Sequence, residues 1–206
     1  TSTLTAGEHH AEIAIKNVDT DIIERRIPVS VRVYGIGETS FEADLGAWVQ
    51  SSNDNLQWTR LSGPTNSNST GPDFAVDGNY YLYMEASANF PSKTASIELP
   101  IDLTVAPVDT MTFSYHMYGA GMGSLSVDIS SDGGANWTAL WSISGDQGSS
   151  WHDAVIDMSS YTSNSIIRFH GIIGNNFTSD ICIDNIRMES IQALPVVTTT
   201  EPTNIS

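Results

Sequence analysis

Two adjacent runs of alternating residues constrain this chain more than any other feature. From Phe113, the apolar Phe113, Tyr115 and Met117 alternate with Ser114 and His116; after the turn GAGMG, Leu125, Val127 and Ile129 alternate with Ser126, Asp128 and Ser130. Side chains repeat every two residues on a strand and every 3.6 on a helix, so both runs predict half-buried antiparallel strands. A tight hairpin signal, Asp132-Gly133-Gly134, and three tryptophans, Trp137, Trp141 and Trp151, follow directly. The fold class this implies is all-β.

Strands are expected near 41–43, 80–86, 94–99, 111–118, 124–130, 138–142, 152–157, 166–173 and 181–188. Pro100 and Pro107 flank a connection that cannot belong to a central strand. The polar tract from Ser62 to Pro72 has no apolar period and reads as a surface loop. Ahead of this block, HAEIAIK and IPVSVRVYG alternate around the turn-like NVDTDIIERR. An isolated hairpin is marginal in water. Residues 1–37 therefore read as a partial immunoglobulin-like segment that has lost its earlier strands, or as strands packed on the next module. Their apolar face would be Ile13, Ile15, Val29, Val31 and Val33. Residues 38–190 form the main domain, and 191–206 a Thr/Pro-rich linker or tail.

The charge balance narrows the partners. Eight Lys and Arg stand against 24 Asp and Glu, a net charge of -16, and such a field repels phosphate backbones and anionic lipid surfaces. Nucleic acid is excluded as a partner. No apolar run approaches the ~20 residues that cross a bilayer, so no membrane insertion is expected. The first residues, TSTLTAGEHH, lack a signal-peptide pattern, and the chain starts without Met and ends in PVVTTTEPTNIS. It reads as a piece of a longer secreted or surface polypeptide.

Catalytic signatures are missing: there is no HExxH, no GxSxG and no phosphate-binding Gly-rich loop ending in Lys-Ser or Lys-Thr. His9 and His10 are adjacent, which puts them on opposite faces of a strand and makes a shared metal improbable. His116, His152 and His170 are expected in solvated or hydrogen-bonded structural roles; a zinc site built from them would need three strands to coincide. The single Cys182 excludes an intrachain disulfide and reads as a small buried apolar residue. Asp146 and Gly148 of SGDQGSSW are expected to build a turn ahead of an anchoring Trp151. Asn68, Asn136 and Asn176 head Asn-x-Ser/Thr triplets, glycan acceptors only in a eukaryotic secretory pathway.

Eight segments occur in order: FEADLGAWVQ, NDNLQWTRLSGPTNSNSTGPDF, GNYYLYMEAS, TASIELP, FSYHMYG, MGSLSVDIS, LWSISGDQGSSW and SDICIDNIRM. Together they resemble the MAM domain over Phe41 to Met188, about three quarters of the chain. The resemblance implies an antiparallel jelly-roll β-sandwich with Trp48, Trp58 and Trp141 in core or loop-pinning positions. The vertebrate pattern has disulfide-forming cysteines that are absent here, which suits a bacterial member.

The resemblance also implies a non-catalytic extracellular module for adhesion and protein association, including homo-association, attached to a larger protein such as a peptidase or other hydrolase. It points to a structural calcium ion, or sodium, between the first and last strands, with Glu42 and Asp184 as ligands and Asp73 and Asp54 as loop contributors. Calcium takes six to eight oxygens without strict geometry. The alternative for Glu42 and Asp184 is that they accept hydrogen bonds from backbone amides at strand ends. Contacts would come from loops 62–72 and 174–179. A second functional reading is a carbohydrate-binding module that delivers an attached enzyme to polysaccharide, with Trp137, Tyr118 and Phe177 as the aromatic candidates.

Overall fold

The computed structural model describes residues 7–16 and 23–193, with side chains described for 37–190. Among them run twelve strands and no helix: β1 (Gly7–Lys16), β2 (Ile23–Thr39), β3 (Val49–Gln50), β4 (Thr59–Ser62), β5 (Tyr80–Met84), β6 (Thr94–Asp102), β7 (Thr110–Met117), β8 (Ser124–Ser130), β9 (Thr138–Ser144), β10 (His152–Asp157), β11 (Asn164–Ile172) and β12 (Ile181–Ala193). They form two antiparallel sheets.

The last strand organises the first sheet. One edge of β12 pairs with β7 over Ile181–Glu189, and β10 pairs with β7 in turn. Its other edge pairs with β5 over Ile181–Ile183 and then with β2 over Ile186–Ala193. The partner changes beside Asp184 and Asn185, where Asn185 is left-handed (φ 52°) and the register with β7 shifts. Antiparallel pairing of β4 with β5 and of β1 with β2 completes this sheet. The second sheet runs β3-β6-β11-β8-β9.

The core lies between the sheets and follows the alternation in the sequence. Phe113 meets Phe169 edge-on at 4.8 Å and Trp141 at 5.1 Å, while Trp48 tilts against Phe169 at 5.3 Å. Trp48 and Trp58 are buried and Trp141 packs against the cluster, as expected. Edge-on aromatic pairs add about 0.5–1.5 kcal/mol to the burial itself. Gly171 is needed here because a Cβ at that position would lie 2.1 Å from the Met84 sulfur of the opposite sheet.

Four features depart from the sequence reading. Phe41–Ala43 is not a strand: Phe41 is buried but left-handed (φ 58°), and the Arg60 guanidinium donates to the carbonyls of Phe41 and Glu42. The short strands β3 and β4 arise in a stretch too brief to show alternation. β6 continues through Pro100, which is tolerated because β3 pairs only at Ile97 and Glu98 and leaves that edge open. Finally, Ser114 and His116 are buried, because the long connection between β4 and β5 covers the outer face of the first sheet.

Candidate functional site

Residues 63–79, the connection between β4 and β5, form a strap pinned to that outer face at several points. The buried Asp184 carboxylate accepts the amides of Val76 and Asp77 on Oδ2 at 3.1 Å each, and that of Asn185 on Oδ1 at 2.8 Å. At the end of the strap, Glu42 Oε1 accepts the amides of Asn79 at 2.8 Å and Tyr80 at 2.7 Å. The Trp151 indole donates to the Phe74 carbonyl at 2.9 Å, and the Tyr81 hydroxyl to that of Gly63 at 2.7 Å. Near the strap's start, the amide of buried Asp180 donates to Thr70 Oγ1 at 2.9 Å and Thr65 Oγ1 donates to the Thr70 carbonyl. Beneath lies a satellite cluster of Ala75, Tyr81, Tyr83 and Cys182, closed by Leu61 and Trp151.

The electrostatics reflect this burial. Amide bonds from Asn79 and Tyr80 hold the Glu42 carboxyl below the usual range. Burial pushes the Asp184 carboxyl up to about 6 against the pull of its three amides, and the charge of Asp77 adds to the rise. Asp180 is also pushed up to about 6 by burial, against the pull of the Ala86 amide, which donates to its Oδ1 at 2.8 Å, and of the Thr65 hydroxyl. Burial against Trp151 lowers the pKa of His116 and the Ser149 backbone opposes that shift, although neither ring nitrogen reaches full hydrogen-bond geometry among the described residues. His116 is therefore buried and not solvated.

The residues expected to share one cation are only partly brought together. Glu42 and Asp184 converge on the strap, and Asp73 lies exposed within it. Asp54 sits on the other sheet, where it accepts the Ser96 amide. The four do not fit a single cage, and among the described residues no three His, Cys, Asp or Glu side chains gather as metal ligands. The histidines separate likewise: His152 Nε2 contacts the Gln147 carbonyl at 2.9 Å, and His170 belongs to the second sheet. Side chains of His9 and His10 and of the apolar set in residues 1–36 lie outside the described residues. Asp146 makes the expected turn, accepting the Gly148 amide at 2.9 Å, with Gly148 at φ 83°.

A second concave feature crosses the outer face of the second sheet. The register places Ser96, His170 and Ser126 side by side, and Glu98, Arg168 and Asp128 in the next row. Beside these rows opens a groove of about 210 Å³, lined by Asp54, Ser96, Glu98, Trp137, Arg168 and His170 among others. Arg168 Nε pairs with Asp128 Oδ2 at 2.8 Å, and its guanidinium carbon stands 3.9 Å from the Trp137 ring centre. His170 Nδ1 meets Ser96 Oγ at 2.9 Å. Burial, and then Arg168, lower the pKa of His170.

The profile of the MAM domain (meprin/A5/mu) matches residues 39–192. This chain belongs to the MAM family. It is 34% identical over 157 residues to human MAM domain-containing protein 2, covering 75% of this chain and 23% of that protein. It is 32% identical over 151 residues to human MAM domain-containing glycosylphosphatidylinositol anchor protein 1, covering 69% and 16%. The chain thus spans about a quarter or less of the length of these relatives. Among solved structures it resembles the K3 cleaved adhesin domain of Lys-gingipain from Porphyromonas gingivalis, with a TM-score of 0.57 and 16% identity over 77% of this chain and 99% of that one. That likeness shows a shared fold.

In this MAM domain, Glu42 and Asp184 anchor the strap as amide acceptors, the alternative that the sequence leaves open beside calcium binding. Asp180, His116 and the groove were not singled out as a site. The sequence assigns Asp54, His170 and Trp137 to three different candidate sets, and only the fold joins them. The signal that could have united them is the run of polar residues at alternate positions of three strands, Thr94-Ser96-Glu98, Ser126-Asp128 and Arg168-His170.

Proposed function

We propose that this MAM domain is a non-catalytic extracellular binding module that mediates protein association, including self-association, through its strap. The observation that carries this reading is the display of Phe74 and Val76, 69% and 44% exposed, on a backbone pinned by Trp151 and Asp184. A large apolar side chain held rigidly in water is what a contact surface requires, because little ordering cost remains to be met on binding. Sedimentation velocity over a concentration series tests it. The wild-type chain is expected to show concentration-dependent dimers that Phe74→Ser abolishes; a wild-type monomer at every concentration refutes self-association.

We also propose that calcium binds beside the strap through Glu42 and Asp184. What supports this is the buried Asp184 carboxyl, which the like charge of Asp77 disfavours; two carboxylates and loop carbonyls are ligands calcium accepts. Binding to the folded state must raise its melting temperature by mass action. The expected result is a calcium-dependent rise reversed by chelation and lost in Glu42→Ala and Asp184→Ala. No rise in the wild type refutes it and leaves both residues as amide acceptors.

Carbohydrate binding is a second reading, favoured by a separate observation: the groove on the second sheet combines carboxylates, hydroxyls, an imidazole and a tryptophan-backed guanidinium in one polar recess.

A further inference from the structure

We propose that the groove on the outer face of the second sheet binds an uncharged saccharide chain, with Glu98, Arg168 and His170 as hydrogen-bonding residues and Trp137 as the rigid wall. The inference rests on the carbohydrate reading and assigns it a site.

The donor and acceptor inventory selects the ligand. A sugar hydroxyl both donates and accepts, so it suits a recess that offers both functions at close range. Here Asp54 and Glu98 accept, Arg168 donates, and Ser96 and His170 do either. The Asp54 carboxylate already takes the Ser96 amide and Arg168 is paired with Asp128, whereas Glu98 makes no hydrogen bond or ion pair within the described residues. Glu98 is therefore the carboxylate with both oxygens open to a ligand. His170 has its Nδ1 committed to Ser96 Oγ, and its Nε2 carries no bond within the described residues. Burial keeps this imidazole neutral at physiological pH, so the nitrogen can serve as donor or acceptor by choice of tautomer.

Charge excludes anionic ligands. Three carboxylates, Asp54, Glu98 and Asp128, face one guanidinium in a chain of net charge -16. Sulfated or uronate polymers would enter against that field.

The site is also preorganised. Its floor is β11, hydrogen-bonded on both sides by β6 and β8. Its wall is fixed because Trp137 lies under the Arg168 guanidinium and close to Gly134, where a Cβ would stand 3.5 Å from the indole. At about 210 Å³ the groove is smaller than the ~300–1,000 Å³ of drug-sized ligand sites. It suits one or two sugar rings, so measurable retention needs a repeating polymer that rebinds.

Affinity electrophoresis of the full chain through gels containing galactomannan, mixed-linkage β-glucan, xylan, polygalacturonate or chitosan tests the proposal. Retardation by at least one neutral polymer is expected, with at least a tenfold loss in Glu98→Ala and Trp137→Ala and none in Phe74→Ser. Glu98→Ala breaks no internal bond and is expected to keep the wild-type unfolding midpoint, so it remains decisive if Trp137→Ala folds poorly. Retention by a neutral polymer that survives in Glu98→Ala overturns the site while the carbohydrate reading stands. No retention by any neutral polymer overturns both, and retention by chitosan alone that Glu98→Ala abolishes replaces the saccharide reading with a cationic ligand.

Discussion

Asp184 is the residue on which two levels of structure depend. It sits where β12 exchanges β5 for β2 as its partner, and its carboxylate holds the middle of the strap through two amides and its own turn through a third. Truncation leaves these buried donors without an acceptor, so Asp184→Ala is expected to lower unfolding stability by about 2–4 kcal/mol, read from urea denaturation. Glu42→Ala should cost less, since its carboxylate works at the surface. His116 makes a different prediction. Its pKa lies below 6.5 in the folded chain, so the unfolded chain takes up a proton first as pH falls, and stability declines from about pH 6.5 down to the folded value. The Ser149 backbone opposes that depression, His152 adds to it and Asp73 opposes it. Asp180 and Asp184, pushed up to about 6, act in the opposite sense, because the folded state binds their protons first. Replacing the buried ring with His116→Phe should remove the acid-linked loss. Melting temperatures at pH 7.5 and 5.5 check this: the variant must fall less on acidification than the wild type. The sequence leaves amide-acceptor roles for Glu42 and Asp184 open as the alternative to cation binding, although neither residue lies at a strand end. The state of His116 is not legible there, because alternation alone assigns it to solvent and only a covering segment buries it.

That segment, the strap, is where sequence legibility ends at the level of elements. Strands such as 124–130 and 152–157 match the expected ranges because each alternates between a core face and a second face. The strap has no period: it is held by capped amides and two carboxylates, and such contacts leave no repeating mark in a sequence. Hence Ser62–Pro72 reads as a surface loop although Thr65 and Thr70 are buried in its anchorage. Its last turn depends on Gly78, which is left-handed (φ 65°) and whose added Cβ would lie 2.5 Å from the Glu42 carboxyl carbon. Gly78→Ala must therefore displace Glu42 and free the amides of Asn79 and Tyr80. Hydrogen exchange should quicken at the end of the strap while β7 and β11 stay protected. Equal loss of protection in the strap and the core would show that the strap does not open as a separate unit.

At the level of the whole molecule, the charge of -16 opposes the apolar contact proposed for the strap. Two copies carrying that charge repel over the Debye length, about 30 Å at 0.01 M salt, 10 Å at 0.1 M and 3 Å at 1 M. The apolar attraction of Phe74 and Val76 acts only at contact and is not screened. Dimerisation is therefore expected to strengthen as salt rises from 0.01 M, with most of the gain by about 0.1–0.5 M. An interface held by ion pairs would behave in the opposite way, weakening over the same range. Sedimentation equilibrium at a series of sodium chloride concentrations separates the two. Association that weakens with salt would move the contact away from the strap. Association that strengthens with salt and disappears in Phe74→Ser, while retention on a neutral polysaccharide is unchanged, would place two independent binding faces on opposite sheets of one sandwich.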